Sequence, residues 1–235
     1  MSPPDELPSI LRAVARGINL RTEDRPAPST CTLDRQDPGF AFVAVMGLQD
    51  PPALGPIEQA AVRGAVPKRR SEFAWGRWCA RAALAAVGHQ VADLPVGPLR
   101  APSWPPQTAG SISHVEGLVC AAALRGLRRF GIDVERLDRV VDSATWALIL
   151  SPEELQRFAA MERFIAFAAK EATFKALSKQ AGEYFGFECA EVRLLPENRI
   201  DVIITRPLQG GIVAGTTLQG SYLVFDDFVF TMLWA

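Results

Sequence analysis

The sequence is sparing with the residues that most often announce chemistry. It holds only two histidines, His89 and His114, in 235 residues, which leaves no histidine-rich metal site to consider. Its four cysteines, Cys31, Cys79, Cys120 and Cys189, are scattered. None has a neighbour at the spacing of a zinc knuckle or a C-x-x-C redox pair, so buried thiols in a reducing compartment are expected. No sign of charge dominates: 25 Lys and Arg stand against 26 Asp and Glu, a formal net charge of −1. A chain with no global basic field is not expected to collect nucleic acid, and any polyanion site must be local. No apolar run approaches the roughly 18–20 residues of a membrane span. The opening MSPPDELPSI lacks the basic-then-apolar pattern of a secretory leader, so a cytoplasmic protein is expected.

What is present is an ordinary globular composition, 49% hydrophobic and 22% charged. The length allows one large domain or two small ones. Residues 1–38 are rich in Pro, Asp and Arg, with a short helical stretch expected around Ile10–Ala15. Gly39–Leu48 is a short apolar run that predicts a strand. Ile57–Val87 predicts helix, interrupted at Pro67 and restarted near Lys68, with Gly88 as its stop. Five prolines between Ala92 and Pro106 exclude one regular element there. Ser111–Leu124 predicts two strands around a turn at Glu116–Gly117, and Phe130–Glu135 another. Ser151-Pro152-Glu153-Glu154 carries a serine cap, a proline at the first helical position and a glutamate three residues after the cap. That helix should run to about Ser178, with one break allowed. Strands follow at Cys189–Leu195, Ile200–Thr205, Thr217–Phe225 and Val229–Trp234. The two parts loosely repeat strand, helices, strands, which suggests a boundary near Arg125–Arg129.

Four short segments hold the candidate chemistry. In GIDVER, strand alternation puts Asp133 and Glu135 on one face and Ile132 and Val134 on the other. Two adjacent carboxylates suit a hard divalent cation such as Mg2+, though an amphipathic strand with a solvated acidic face has the same spacing. In FAAKEATFKAL, Glu171 and Lys175 lie four apart on one helix face. An exposed ion pair would look the same, but the apolar neighbours Phe167, Ala172 and Phe174 favour a half-buried polar site. In GSISH, His114 stands where a nucleophile elbow needs glycine, so a serine hydrolase is disfavoured. His114 beside hydroxyl residues could hold a phosphate oxygen, or be a histidine satisfied in the core. On the helix after Pro67, Arg70, Arg77 and Arg81 share one stripe at about 100° per residue. Guanidiniums so placed suit a phosphate monoester, and suit equally a solvated face paired with acids such as Glu72.

Taken in order, RRSEFAWGRWCAR (69–81), WPPQTAGSISH (104–114), GIDVER (131–136) and FAAKEATFKAL (167–177) resemble the Sfp/EntD-type 4′-phosphopantetheinyl transferases. The order is more telling than any one piece, with 36 residues between Asp133 and Lys170. The match runs in outline from about residue 60 to about 195. Ala168 departs from the usual Ser or Cys, and Trp104–Ala109 is an imperfect W-P-x-G.

The resemblance implies an α+β fold, a pseudo-dimer of two similar α/β subdomains, residues 1–127 and 128–235, with the active site in the cleft between them. It implies an enzyme that moves 4′-phosphopantetheine from coenzyme A to a serine of an apo acyl, peptidyl or aryl carrier protein, with Mg2+. Siderophore and other secondary-metabolite carriers are the expected clients of a monomeric enzyme. Residue by residue, Asp133, Glu135 and Glu171 are implied metal ligands. Glu171 is also the implied general base, with Lys175 beside it in the chemistry. Lys170, Lys175, Ser113 and His114 are implied contacts to coenzyme A phosphates, and Arg70 and Arg77 to its 3′-phosphate. Two other readings share these groups: a Mg-dependent hydrolase of nucleotide diphosphates, and a non-catalytic coenzyme A-binding protein.

Overall fold

A computed structural model describes residues 39–48, 50–126 and 129–235. The stretch expected to be helical at Ile10–Ala15 and Cys31 lie outside the described residues. The chain forms two compact units, one ahead of Arg129 and one from Arg129 onward. Each lays one long helix on an antiparallel sheet, an α+β arrangement.

In the first unit, β1 (Phe40–Met46), β2 (Thr108–Val115) and β3 (Leu118–Arg125) form a sheet in the order β1-β3-β2. The turn at Glu116–Gly117 joins β2 to β3 in register, with Val115 opposite Leu118. Gly117 takes φ +81°, a conformation that glycine adopts without strain. A short helix α1 (Pro56–Ala61) precedes the long α2 (Pro67–Ala86), and both begin on a proline at the first helical position. Helix α2 ends in a Schellman motif, with Gly88 at φ +88° and His89 N donating to Leu84 O at 2.8 Å. Its buried face, Trp75, Cys79, Ala80, Ala83 and Leu84, packs on Val43, Val45, Val119 and Ala121 of the sheet.

In the second unit, five antiparallel strands run in the order β4-β8-β7-β6-β5: β4 (Phe130–Arg136), β5 (Ala190–Leu195), β6 (Arg199–Ile204), β7 (Thr217–Phe225) and β8 (Phe228–Trp234). The helical stretch expected from Ser151 is two helices. Helix α4 (Pro152–Arg157) starts in the predicted capping box, and α5 (Ala160–Ala181) restarts after the extended Ala159. A helix that the composition did not announce, α3 (Ser143–Ile149), is capped by Asp142, whose Oδ1 accepts from Thr145 N at 2.8 Å. Helix α5 crosses the sheet against β4 and β8.

Gly131 governs that crossing. A Cβ there would stand 2.0 Å from the Ala172 carbonyl oxygen of α5. Only glycine lets the helix backbone come this close to β4, and residues 131, 133 and 135 then share the face turned to the helix.

Candidate active site

The second unit gathers acid and lysine between β4 and α5. Asp133 and Glu135 are both buried on the face of β4 that meets α5. Lys175, about four turns into α5, donates from Nζ to Asp133 Oδ1 at 2.6 Å. Arg139 donates to Glu135 Oε2 at 3.1 Å. Burial first, and then the Asp133 charge, push the Glu135 carboxyl up to about 7, against the pull of Arg139 and Lys175. Burial first, and then Asp133, also raise the Glu171 carboxyl above the usual range, with Lys175 opposing. The three carboxylates therefore feel one another. Among the described residues no three acidic, histidine or cysteine side chains close into a metal cage, and Lys175 and Arg139 are the cations at hand.

Nothing in the sequence pointed to Thr231. It lies directly across from Asp133 in the β4–β8 ladder, so the two side chains leave the sheet on the same side. It is 1% exposed, and its hydroxyl has no hydrogen-bond partner among the described residues. A buried hydroxyl in that condition costs free energy until something fills the space beside it.

Lys170 is elsewhere, and here the structure corrects the sequence. One residue along an α-helix is a rotation of about 100°, which turns Lys170 away from the face that carries Glu171. Its Nζ donates to Glu154 Oε2 at 2.6 Å, to Ile149 O at 3.0 Å and to Phe187 O at 3.3 Å. The side chains of the pair are 2% and 1% exposed. An ammonium has three protons, and all three are committed inside the unit. Lys170 is not placed to meet a coenzyme phosphate.

The first unit carries the basic groups. Arg77 is 4% exposed, with its guanidinium 4.5 Å from the centroid of the Phe73 ring. Its Nε has no hydrogen-bond partner among the described residues. Burial brings its pKa down to about 10; Glu58 opposes this, while Arg81 and Arg69 add to it. Arg81 is already paired with the buried Glu58, whose Oε1 also accepts from Leu94 N at 3.0 Å. Arg70 is exposed and donates to Arg63 O at 3.2 Å. The expected stripe is real, but its members differ: Arg81 is neutralised, Arg70 is solvated, and Arg77 is buried with donor capacity to spare.

His114 leaves β2 toward α2. Its Nε2 stands 3.0 Å from Arg69 Nη1 and 3.8 Å from Glu72 Oε2. Nε2 can accept from Arg69 only as the neutral ring protonated at Nδ1. Ser113, its neighbour on the strand, is buried and points to the opposite face. The expected cradle of His114 with an adjacent hydroxyl is thus split by strand alternation. Arg69 and Glu72 are among the side chains that share the histidine's environment.

The second unit buries acids and a lysine between helix and sheet, and the first buries an arginine whose Nε has no partner among the described residues, a charge set that can serve a phosphate-bearing ligand. Comparison with known proteins makes this specific. Residues 57–124 match the 4′-phosphopantetheinyl transferase N-terminal domain, and residues 129–231 match the 4′-phosphopantetheinyl transferase superfamily. The 4′-phosphopantetheinyl transferase Svp of Streptomyces mobaraensis is 36% identical over 184 residues, 71% of each chain. The 4′-phosphopantetheinyl transferase PptT of Mycobacterium tuberculosis is 32% identical over 199 residues, 78% of this chain and 88% of its own. Enterobactin synthase component D of Escherichia coli is 32% identical over 154 residues, 63% of this chain and 71% of its own. The chain belongs to the 4′-phosphopantetheinyl transferase superfamily. Among the described residues no helix is long and apolar enough to cross a membrane.

Proposed function

We propose that this protein transfers the 4′-phosphopantetheine moiety of coenzyme A to a serine of an apo acyl, peptidyl or aryl carrier protein, as a monomer in the cytoplasm. The serine oxygen forms the new bond to the phosphorus that bears pantetheine. The bond from that phosphorus to the bridging oxygen of the pyrophosphate breaks. Adenosine 3′,5′-bisphosphate leaves with the electron pair. The nucleophile belongs to the carrier, so no serine or cysteine of this chain needs activation.

The observation that carries the reading is the coupled acid–lysine group on β4 and α5. Glu171 accepts the serine proton, a role suited to a carboxyl raised by burial and by Asp133. Lys175 neutralises charge that develops on the pyrophosphate. In the first unit, Arg77 holds the 3′-phosphate, with Arg70 as an outer contact, and His114 meets a pyrophosphate oxygen. Ser113 has its place on the opposite face of β2 and takes no part in that contact.

Asp133, Glu135 and Glu171 offer hard oxygen donors close enough that the Asp133 charge raises the proton affinity of the other two, and oxygen donors of this kind suit Mg2+. The Thr231 hydroxyl, opposite Asp133 and without a partner among the described residues, would be a further polar atom on the face that would hold the cation. A bound Mg2+ supplies Lewis acidity to phosphate oxygens.

The test is direct. The protein is incubated with coenzyme A, Mg2+ and a panel of apo carrier proteins from siderophore, polyketide, nonribosomal-peptide and fatty-acid systems, and each carrier is weighed by mass spectrometry. A phosphopantetheine adduct on the carrier serine is expected. Consumption of coenzyme A by water alone, with no adduct on any carrier, would replace the transferase by a hydrolase.

A further inference from the structure

We infer that the buried Lys170–Glu154 pair is the positioning device for the catalytic face of α5: it fixes the helix's rotation so that Glu171 and Lys175 address β4. The inference rests on the role proposed above for Glu171.

Besides the close approach at Gly131 and the Lys175–Asp133 bond, packing is what fixes that rotation. Helix α5 is buried on most sides, its turns filled by Phe164, Ile165, Ala168, Ala172, Ala176 and Leu177. Its buried residues spread over more than one face and the stripe of Phe167, Glu171 and Lys175 is half-exposed, so burial alone sets the rotation loosely. Small alanine side chains add few knobs that would resist such a turn. A catalytic group, however, must be held to about 10–20°.

Polar contacts give the missing definition, because they are directional. Lys170 reaches three acceptors in three different segments: the end of α3 at Ile149, the start of α4 at Glu154, and the 3-10 turn at Phe187. Glu154 is itself fixed. Its Oε2 accepts from Ser151 N and its Oε1 from Val192 N of β5, both at 2.9 Å. The ammonium is thus tied to a frame, not to a mobile side chain. On the other side of Glu171, the Ala172 carbonyl is pressed onto Gly131 of β4. The two residues that flank Glu171 are therefore both held, one by charge and one by close approach. A buried ion pair adds little net stability against an apolar replacement and is retained where it specifies one arrangement. The expected effect of its loss falls on turnover more than on folding.

The decisive variant carries Lys170→Met with Glu154→Gln, which removes both charges together and keeps an acceptor for Val192 N. Transfer to a carrier is measured as kcat and KM for coenzyme A, per folded molecule counted from the melting curve. The expected result is a kcat reduced about 100-fold, the usual penalty for misplacement on the order of 1 Å, with KM within about threefold of wild type. Glu154→Gln alone, at a residue with no route to a phosphate, is expected to lower kcat by at least about tenfold in the same way, and it decides the matter if the paired variant does not fold. Two results overturn the inference. One is a kcat within about threefold of wild type in these variants. The other is a KM raised about tenfold or more by Lys170→Met while Glu154→Gln leaves it unchanged, which would make Lys170 a phosphate contact. Glu171→Gln, run beside them, separates the two levels. If it retains full kcat, the role of Glu171 falls; if it is inactive while the neutralised pair is active, only the positioning role falls.

Discussion

Glu171 and Arg77 are the residues whose environments ask most of a ligand. If Glu171 is the base, as proposed, Glu171→Gln removes the proton acceptor and keeps the shape, so kcat for carrier loading should fall by about 10²–10⁴-fold. Coenzyme A affinity, followed by calorimetry with divalent cations chelated, should stay within a few-fold of wild type, because without the cation the proposed base acts on the serine and not on the coenzyme. Arg77 presents the opposite case. Its buried Nε has no partner among the described residues, so the folded protein gains little from its charge. Arg77→Met should leave the melting temperature unchanged or slightly raised. Loss of a charge-assisted bond worth about 1.5–3 kcal/mol should raise KM for coenzyme A by about 10–150-fold. Dephospho-coenzyme A, which lacks the 3′-phosphate, gives the control. Wild type and Arg77→Met should use it equally, and a variant impaired equally on both substrates would detach Arg77 from the 3′-phosphate.

The elements that carry these residues can be read unevenly from sequence, and the reason is geometric. Strand alternation is a strict period of two, so the shared face of Asp133 and Glu135 follows from GIDVER alone. The same alternation divides Ser113 from His114, which sequence adjacency had joined. Lys170 and Glu171 are adjacent too, and the 100° step of a helix sends one into the core and one to the face of β4. Neighbours in the chain are not neighbours in space at either place, because the backbone period parts them. Helix α3 was missed because seven residues are too few to show a helical period, although Asp142 was a legible cap. Thr231 could not be found at all, since only the β4–β8 register brings it to Asp133. Gly131 is the residue on which the register of helix against strand depends. Gly131→Ala would drive a methyl group into the Ala172 carbonyl, and backbone on both sides leaves no side chain to yield. Overpacking of this kind costs about 1–3 kcal/mol. Urea unfolding should register that loss as a lower midpoint with an unchanged slope. Turnover should fall further than stability, because the displacement is applied at the helix turn that carries Glu171 and Lys175. A Gly131→Ala protein with wild-type midpoint and kcat would show that this close approach positions nothing.

At the scale of the whole molecule, the acidic face of β4 makes stability depend on pH, and the proposed Mg2+ binding would link that dependence to divalent cations. The Glu135 carboxyl sits at about 7 in the folded chain and near 4.3, the ordinary value, when unfolded. A carboxyl raised by folding binds its proton more tightly in the native state. Its contribution to stability is therefore complete below about pH 4 and is lost as pH rises from there through about 7. Glu171 is shifted in the same direction. Other carboxylates act in the opposite sense: Asp138 is lowered by its bond from Arg136, and Asp142 by its cap to Thr145. The Glu135 contribution is therefore read as a difference between wild type and Glu135→Gln. With divalent cations chelated, the melting temperature of wild type relative to Glu135→Gln should fall between pH 5 and pH 8. At this chain length each kcal/mol lost lowers it by about 2–4 °C. Mg2+ bound as proposed would compete with the proton for the same oxygens. At pH 8 it should raise the wild-type melting temperature and leave Glu135→Gln nearly unmoved, and at pH 5 its effect on wild type should shrink. Equal responses of the two proteins to Mg2+ at pH 8 would place the cation elsewhere than on β4. A wild-type advantage that grows with pH in the chelated protein would mean that Lys175 and Arg139 outweigh burial at Glu135, and that the native face prefers its carboxylates ionised.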